Sequence, residues 1–332
     1  MTSEARSFLT IRFARLGDVI LLLPTLVRLK ELFPESRLTL LTGHRCAPIA
    51  QMCPAIDNVI AVDRLGMRDR GLSTAIPEMF RLISSVRANR FDCVIDFHSF
   101  RETNLLAWLS GAPVRVGLKR FDRAYLSFCF NRPPVVEDKR VHVAEMFQRV
   151  LDGVAGATGP SGKLPPVLIV PEALGGWLRS VVPASDPGVA LYISAAARDR
   201  VWPAEHFTAL ADYAIQELGA SVNVLAGPGE AALARRVCDA VKDRGRVRPF
   251  ADLTLPQLAG LISVSRVLVS NDTGPMHIGP AMGIPTLGLF SVGLPEHYRP
   301  YGKGGRYLKG DPIDTISVES VRSELRGMLY DC

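Results

Sequence analysis

Four short polar segments combine residue types that could bind or transfer a charged group. They are ARLGD (14–18), DFHSFRE (96–102), SAAARDRVWP (194–203) and SNDTGPMH (270–277). Each one follows or ends a run of β-forming apolar residues, so each is expected at the end of a buried strand. Because ligands of open α/β sheets bind beyond the carboxyl ends of the strands, these segments are the candidate binding positions.

The last of these segments predicts an anion site. Gly274 permits a tight turn, and Pro275 suits the first turn of a helix, where a missing N–H is no loss. A helix that starts here would direct N–H groups and its positive dipole end at the strand mouth, which favours phosphate. Thr273 and His277 would add donors. The alternative is structural, with Asp272 or Thr273 as a helix cap and His277 as a core histidine.

Charged residues in two other segments suit the chemistry of phosphates and hydroxyl groups. Arg198 and Arg200 precede a predicted helix, and an arginine fork beside a helix start can hold a diphosphate. Asp18 begins the N-terminal helix after Gly17, where a carboxylate could accept a proton from a hydroxyl group. The alternatives are two solvated arginines and a plain helix cap.

The stretch GPGEAA, residues 227–232, matches the dinucleotide-binding fingerprint between a strand and a helix. Pro228 between the glycines is unusual in that fingerprint. The acidic residue that should contact the ribose has no clear counterpart, because Asp252 lies 25 residues past Gly227 and follows no clear strand. An NAD site is therefore weakly indicated.

Other motifs are missing from the sequence. It has no Asp-x-Asp, no G-x-x-x-x-G-K-[ST] loop, no H-E-x-x-H and no G-x-S-x-G, and its six cysteines form no C-x-x-C pair. We therefore expect no metal site, no bound cofactor and no disulfide framework. The cysteines indicate a reduced, cytoplasmic protein.

Charge is distributed unevenly along the 332 residues. Residues 1–160 hold 22 basic and 16 acidic side chains, whereas the remainder is balanced. A basic surface attracts nucleic acid, an anionic lipid surface or a phosphorylated glycan, unless the arginines are merely solubilising. Nucleic acid is disfavoured because aromatic residues make up 7% of the chain and form no stripe with the basic ones.

Alternating strand and helix patterns predict an α/β fold in which a parallel, doubly wound sheet occurs twice. In the first half, strands are predicted at 8–13, 37–43, 58–63, 91–98 and 113–118. After a Gly- and Pro-rich stretch at 152–166, interpreted as a linker, strands and helices alternate again. The predicted domains are 1–155 and 167–315, with a terminal helix at 316–332 expected to pack back toward the first domain.

Two helices are predicted with particular consequences. The apolar run VILLLPTLV, residues 19–27, is short for a membrane span, which needs about 20 residues. We therefore expect one buried helix from Asp18 to about Phe33 and no targeting segment. The last helix, 318–330, is amphipathic and has Ser317 as its cap.

Several segments resemble the bacterial lipopolysaccharide heptosyltransferases of glycosyltransferase family 9. The stretch SNDTGPMHIGPAMGIPTLGLF (270–290) is similar to the family's donor-site signature, an Asp-[Ser/Thr]-Gly-x-x-His followed by small residues and Gly-x-Pro. Residues 9–43 resemble its N-terminal segment, residues 94–117 resemble its middle N-domain segment, and VHVAEMF (141–147) resembles a motif before the domain junction. The similarity covers most of the chain in the expected order.

The resemblance implies the GT-B architecture, in which two Rossmann-like domains face each other across a cleft. It implies that the C-terminal domain binds a nucleotide sugar, usually ADP-heptose. The N-terminal domain would bind the anionic, lipid-linked inner core of lipopolysaccharide. Such enzymes invert the anomeric carbon without a bound metal. We therefore expect a cytoplasmic glycosyltransferase with peripheral contact at the inner face of the inner membrane.

The resemblance also implies roles for single residues. Asp18 matches the general base. The donor-binding residues would be Arg200, Asp272, Thr273, Gly274 and His277, and the acceptor-side candidates are Arg15, Gly17, His98 and Arg120. Arg200 stands where the best-known members carry Lys, and His98 stands where Gln is common. These departures bear on the identity of donor and acceptor.

Three other functions stay open at this point. One is a glycosyltransferase of the same fold that uses another nucleotide sugar, and a second is a non-catalytic nucleotide-sugar-binding protein. The third is an NAD-dependent oxidoreductase or nucleotide-sugar epimerase that uses residues 227–232. Binding of nucleotides and NAD would distinguish them.

Overall fold

Two α/β units make up the chain, which divides between residues 162 and 163. A computed structural model describes residues 6–13, 15–63, 72–156, 166–183 and 188–330. Each unit contains one parallel sheet of six strands.

The first unit begins with the apolar strand β1, which is buried along most of its length. The strands of this unit are β1 (Ser7–Arg12), β2 (Arg37–Gly43), β3 (Asn58–Val62), β4 (Cys93–Asp96), β5 (Val114–Lys119) and β6 (Val135–Val136). Its described helices are α1 (Leu16–Ile20), α2 (Leu23–Leu32), α3 (Ala47–Ala50), α4 (Leu72–Ala88), α5 (Arg101–Leu109) and α6 (Val143–Ala155). The strands lie in the order β3-β2-β1-β4-β5-β6.

The second unit repeats this plan. Its strands are β7 (Val189–Tyr192), β8 (Val222–Leu225), β9 (Val247–Phe250), β10 (Val267–Asn271), β11 (Thr286–Phe290) and β12 (Gly305–Lys309). Its described helices are α7 (Gly175–Val181), α8 (Ala204–Gln216), α9 (Ala231–Ala240), α10 (Leu255–Ser263), α11 (Ile278–Ala281), α12 (Pro295–Tyr298) and α13 (Val318–Tyr330). The strands lie in the order β12-β11-β10-β7-β8-β9.

Both sheets reverse their winding direction between two central strands. In the first unit the reversal lies between β1 and β4, and in the second it lies between β7 and β10. Connections leave such a pair in opposite directions and open a crevice at the carboxyl edge, where ligands of this fold class bind. All four polar segments singled out from the sequence follow these four strands.

The C-terminal helix α13 belongs to the core of the second unit. Val321, Leu325, Met328 and Leu329 are buried among the apolar side chains of that unit. The predicted cap is confirmed, because Ser317 Oγ accepts a hydrogen bond of 3.1 Å from the N–H of Ser320.

The single helix predicted from Asp18 to Phe33 is wrong. The chain forms α1 and α2, which are separated at Leu21 and Leu22. Pro24, in the first turn of α2, has no N–H to donate to the carbonyl of Ile20, and its ring would collide with that carbonyl in a continuous helix. None of the described helices is long and apolar enough to cross a membrane.

The predicted linker begins at the wrong residue, and three edge strands are absent from the prediction. Helix α6 continues to Ala155 and ends at Gly156, which has a left-handed φ of 67°. The linker prediction therefore began too early, and residues 157–165 lie outside the described part. Strands β6, β9 and β12 were not predicted, because β6 has only two residues and the other two are partly exposed edge strands of mixed composition, VRPF and GRYLK.

Small residues let α11 pack closely on the second sheet. A Cβ at Gly279 would overlap Thr286 Oγ1 of β11 and would lie 3.1 Å from Leu268 Cδ2 of β10. The glycine is needed for this close approach, which sets the position of the turn that precedes α11.

Substituting Gly279→Ala should lower the free energy of unfolding by about 1–3 kcal/mol, because the added methyl overpacks the contact with Thr286. Urea denaturation would measure the change. The matched control is Gly176→Ala in α7, where a Cβ meets nothing within 4 Å. The control should leave stability unchanged or raise it slightly, since Ala favours a helix over Gly. Equal effects of the two variants would contradict the packing argument.

Candidate functional site

A buried ion pair stands at the carboxyl edge of the first sheet. Arg12, the last residue of β1, is 1% exposed, and its Nη2 donates to Asp18 Oδ1 at 2.7 Å. Its Nη1 donates to the carbonyl of Phe97 at 2.7 Å, and its guanidinium lies 4.9 Å from the ring centre of Phe147. A buried guanidinium needs such partners, so these contacts fix the direction in which Asp18 points.

Asp18 is not the cap of its helix. Helix α1 begins at Leu16, two residues earlier than predicted, and the cap position is Arg15, whose side chain makes no capping bond. Asp18 Oδ1 is engaged by Arg12, whereas Oδ2 accepts no hydrogen bond from the described residues. The side chain is 20% exposed, so this second oxygen can meet a ligand.

The neighbouring strand end holds a fully buried carboxylate. Asp96 Oδ1 accepts hydrogen bonds from the N–H groups of His98 at 3.0 Å and Ser99 at 2.8 Å, and Oδ2 accepts one from Asn104 Nδ2 at 2.9 Å. Burial raises the pKa of Asp96, and these hydrogen bonds offset the effect only in part. Asp96 thereby shapes the turn that presents His98, where Ser99 has a positive φ of 53°.

The Phe100 ring lies close to two of the predicted acceptor-side residues, His98 and Arg120. The ring centres of His98 and Phe100 are 4.1 Å apart, and the guanidinium of Arg120 lies 5.6 Å from the centre of the Phe100 ring. Arg123, which sequence reasoning did not single out, lies 5.1 Å from the same ring. Cation–π attraction therefore holds two arginines beside His98.

The other two acceptor-side candidates lie at the start of α1. Arg15 is exposed and Gly17 is buried in the helix. Arg15 is the cap position of the helix that carries Asp18, and Gly17 directly precedes Asp18 in that helix. Arg12 itself was missed. Its signal was a charged residue at the end of an otherwise apolar strand, FLTIR.

A second Arg–Asp pair stands at the carboxyl edge of the second sheet. Arg200 Nη1 donates to Asp272 Oδ2 at 3.0 Å. Burial raises the pKa of Asp272, and the Arg200 guanidinium partly offsets this rise. A carboxylate repels phosphate, so Asp272 suits the task of orienting Arg200 better than direct contact with an anion. Arg200 keeps further N–H donors for a ligand.

Asn271 connects the segment that follows Arg200 to the carboxyl end of β7. Its Oδ1 accepts from the N–H of Trp202 at 3.0 Å, and its Nδ2 donates to the carbonyl of Ile193 at 2.9 Å. Trp202 is fully buried, and its Nε1 donates to the carbonyl of Ile316 at 2.9 Å. Asn271 was not identified from sequence, although a buried amide at a strand end signals such a bridge.

The helix predicted to begin at Pro275 starts as a tighter turn. Gly274–His277 forms a 3₁₀ turn that leads into the short helix α11, so its dipole is small. The Thr273 side chain makes no capping hydrogen bond, so Thr273 is not the side-chain helix cap that the sequence allowed as an alternative. Pro275 has no N–H, and Met276 donates to the carbonyl of Thr273 at 3.1 Å.

Two hydrogen-bond donors therefore follow the carboxyl end of β10, in the same part of the unit as Arg200. They are the Thr273 hydroxyl and the Gly274 N–H, which has no partner within the turn. His277 follows in the same turn and is buried, with 5% of its surface exposed. The structure thus brings all five predicted donor-side residues to one crevice of the second unit.

The loop at 227–232 does not favour a dinucleotide site. Asp252 Oδ1, the proposed ribose contact, instead accepts from the N–H of Gly229 at 2.7 Å and closes the loop. Glu230 occupies the cap position of α9, where a pyrophosphate would have to bind. Within the described ranges, no cluster of three or more His, Cys, Asp and Glu side chains could hold a metal ion.

Comparison with known proteins gives a family match. The family model described as glycosyltransferase family 9 (heptosyltransferase) matches residues 79–315, more than half of the chain. Lipopolysaccharide heptosyltransferase 3 of Escherichia coli is 24% identical over 297 residues, which cover 86% of this chain and 83% of that protein.

Solved structures share the fold along the whole chain. The family 9 glycosyl transferase of Veillonella parvula matches with a TM-score of 0.83 at 23% identity, covering 100% of this chain and 99% of that one. The E. coli heptosyltransferase WaaC with ADP matches with a TM-score of 0.83 at 18% identity, covering 97% and 99%. WaaC with ADP-2-deoxy-2-fluoro heptose gives 0.80 at 19% identity, covering 96% and 99%. These likenesses confirm the predicted GT-B-type α/β class with two doubly wound units.

Replacing Arg200→Gln should destabilise the second unit by about 1–3 kcal/mol at neutral pH, because the buried Asp272 carboxylate loses its ion-pair partner. The loss of Arg200 raises the pKa of Asp272 further above its usual value. The destabilisation should therefore shrink as the pH falls through that raised pKa, since a neutral carboxyl needs no counter-charge.

Urea denaturation at a series of pH values would measure this difference. Arg198→Gln is the matched control, because Arg198 lies in the same 3₁₀ turn, is exposed and forms no ion pair with the acidic residues of the described ranges. A pH-independent loss in the Arg200 variant would contradict the proposed charge pairing.

Proposed function

The chain belongs to glycosyltransferase family 9, as the sequence predicted, and we propose that it transfers heptose from ADP-heptose to the anionic inner core of lipopolysaccharide. Family membership makes it a glycosyltransferase. The names of the relatives support ADP-heptose as the donor and lipopolysaccharide as the acceptor. One relative is a lipopolysaccharide heptosyltransferase, and another was solved with ADP and with an ADP-heptose analogue. The observation that carries the proposal is the oriented Asp18 carboxylate at the crevice of the first unit.

The second unit supplies the donor site in this proposal. The Gly274 N–H and the Thr273 hydroxyl contact the diphosphate, and Arg200 adds a guanidinium that Asp272 holds in place. His277, buried in the same turn, completes the site. Arg keeps the charge of the Lys that the best-known members carry, but it offers a planar fork of donors.

The first unit supplies the base. Asp18 Oδ2 accepts the proton of the acceptor hydroxyl while the hydroxyl oxygen attacks the anomeric carbon and the bond from that carbon to the phosphate oxygen breaks. Attack opposite the leaving group inverts the anomeric centre. Arg200 and the Gly274 N–H stabilise the charge that develops on the departing ADP, so no bound metal takes part.

The acceptor side lies around His98, Arg120, Arg15 and Gly17 in this proposal. The arginines match a phosphorylated glycan, in keeping with the excess of basic residues in the first 160 positions. The enzyme works in the cytoplasm and touches the inner face of the inner membrane, where a lipid-linked acceptor is held.

Calorimetric titration with ADP, UDP, GDP, CMP and NAD should show tight binding of ADP alone. Thr273→Val should weaken ADP binding by about tenfold or more, the value of a hydrogen bond to a charged group, and Arg200→Gln should do the same. Arg235→Gln, which changes an exposed arginine of α9, serves as the control and should bind ADP normally. Preference for UDP or GDP would keep the fold and overturn the heptose assignment, whereas binding of NAD would overturn the transferase proposal.

The variant Asp18→Asn should lower turnover by about 10²–10⁴-fold and leave ADP affinity unchanged, because the amide cannot accept the proton. The control is Glu35→Gln, an exposed acid in the same unit. Thermal melting would show that the first unit still folds with Arg12 facing an amide. Near-normal turnover would rule out Asp18 as the base, and normal ADP binding without turnover in the wild type would indicate a non-catalytic binder.

A further inference from the structure

The segment that follows strand β11, residues 291–294, lies against the Arg200–Asp272 pair, and we call it the β11 loop. Strands β10 and β11 are neighbours in the sheet, so the residues that follow them leave the same edge. The N–H of Asp272 donates to the carbonyl of Leu289 at 2.9 Å, which fixes the backbone of Asp272 to β11. At its far end the loop leads directly into helix α12. The β11 loop is therefore anchored on both sides.

No side chain fits at the third residue of the β11 loop. A Cβ at Gly293 would overlap Asp272 Oδ2, and it would lie 3.0 Å from Cδ1 of Phe290. Phe290 is fully buried, so its ring is held by close packing. An added methyl would therefore displace the Asp272 carboxylate or the loop itself. The atom that it would overlap, Oδ2, is the one that accepts from Arg200 Nη1 at 3.0 Å.

The first residue of the β11 loop is bonded to the turn that carries Arg200. Ser291 is 1% exposed, and its Oγ donates to the carbonyl of Asp199 at 2.6 Å. Asp199 is the middle residue of the 3₁₀ turn Arg198–Arg200. The loop thus contacts both sides of the ion pair, because it bounds the carboxylate and also holds the backbone next to the arginine.

The β11 loop also shields the pair from water. Gly293 packs against the Asp272 carboxylate, and 11% of that side chain is exposed, compared with 31% of the Arg200 side chain. The attraction between the two charges is screened less where water is excluded, so the guanidinium is drawn to one position. Burial raises the pKa of Asp272, in keeping with this exclusion of water. An arginine that is fixed before its ligand arrives loses less freedom on binding.

We propose that the β11 loop is a positioning element of the donor site, in which Gly293 and Ser291 fix the direction of the Arg200 guanidinium. The inference rests on the proposed function in one respect, since the diphosphate of ADP is the ligand of Arg200 there. Both residues act through Asp272 and Arg200 and not through contact with the ligand. The loop therefore contributes to the affinity for the diphosphate and not to the affinity for adenosine.

Calorimetric titration of the full chain with ADP would measure this contribution. Gly293→Ala should weaken ADP binding by about tenfold, close to the loss in Arg200→Gln, because the displaced carboxylate releases the guanidinium. Ser291→Ala should weaken it by about three- to tenfold through the loss of one buried hydrogen bond. The controls are Gly176→Ala, which adds a methyl where nothing lies within 4 Å, and Ser263→Ala, which loses a comparable side-chain-to-backbone hydrogen bond in α10. Both controls should bind ADP normally.

Two comparisons separate positioning from general damage to the site. Adenosine, which lacks the diphosphate, should bind Gly293→Ala and the wild type alike in an NMR titration. In the Asp272→Ala background the overlapping oxygen is absent, so Gly293→Ala should weaken ADP binding no further. Additive losses in this double-mutant cycle would overturn the inference. Equal losses for adenosine and ADP, or wild-type ADP affinity in Gly293→Ala, would overturn it as well.

Urea denaturation at a series of pH values tests the same contact without any ligand. Gly293→Ala should lower the unfolding midpoint at neutral pH. Part of that loss should disappear as the pH falls through the raised pKa of Asp272, since a neutral carboxyl needs no ion-pair partner. In the Asp272→Ala background the same methyl should cause no pH-dependent loss.

The two measurements distinguish this inference from the proposed function. A wild type that binds no ADP, together with the pH-dependent coupling of Gly293 to Asp272, would overturn the proposed donor site and support the positioning of Arg200 by the β11 loop. Normal ADP binding by the wild type with no coupling in either measurement would overturn the inference alone.

Discussion

A parallel sheet brings the carboxyl ends of all its strands to one edge, and the rest of this molecule is arranged around that constraint. The central strands β1, β4, β7 and β10 are largely apolar and buried, so polar groups can meet a ligand only where these strands end. Between β1 and β4, and again between β7 and β10, the connections diverge and leave the edge open. Both units thus form a crevice where the winding direction of the sheet reverses, and different side chains line the two crevices.

Each crevice contains an Arg–Asp pair, and the two pairs differ in which partner meets the ligand. In the first unit Arg12 is buried and Asp18 keeps an oxygen available, whereas in the second Asp272 is buried and Arg200 keeps its donors available. A buried charge that loses its partner destabilises the fold, so the buried partner holds the exposed one in a defined direction. One unit thereby presents a carboxylate and the other a cation, which are the two groups that the proposed transfer uses.

The two units also differ at their surfaces. The first carries the excess of basic residues, and the second is balanced in charge. In the proposed function, the basic first unit binds the phosphorylated acceptor and the second unit binds the nucleotide sugar. Division of the chain into two cores allows these surfaces to be built independently.

The sequence by itself determined the fold class, the four polar strand ends and most of the candidate residues, because apolar periodicity and turn residues act over short distances along the chain. It also placed Ser317 as a cap for the last helix. It did not reveal the break at Pro24, the edge strands β9 and β12, or the 3₁₀ turn at Gly274. Only the tertiary structure showed that Arg12 forms an ion pair with Asp18 and that Asn271 accepts a hydrogen bond from the backbone of Trp202. Those contacts join residues on different elements, and a buried charge or amide finds its partner only when the strands and loops are packed together.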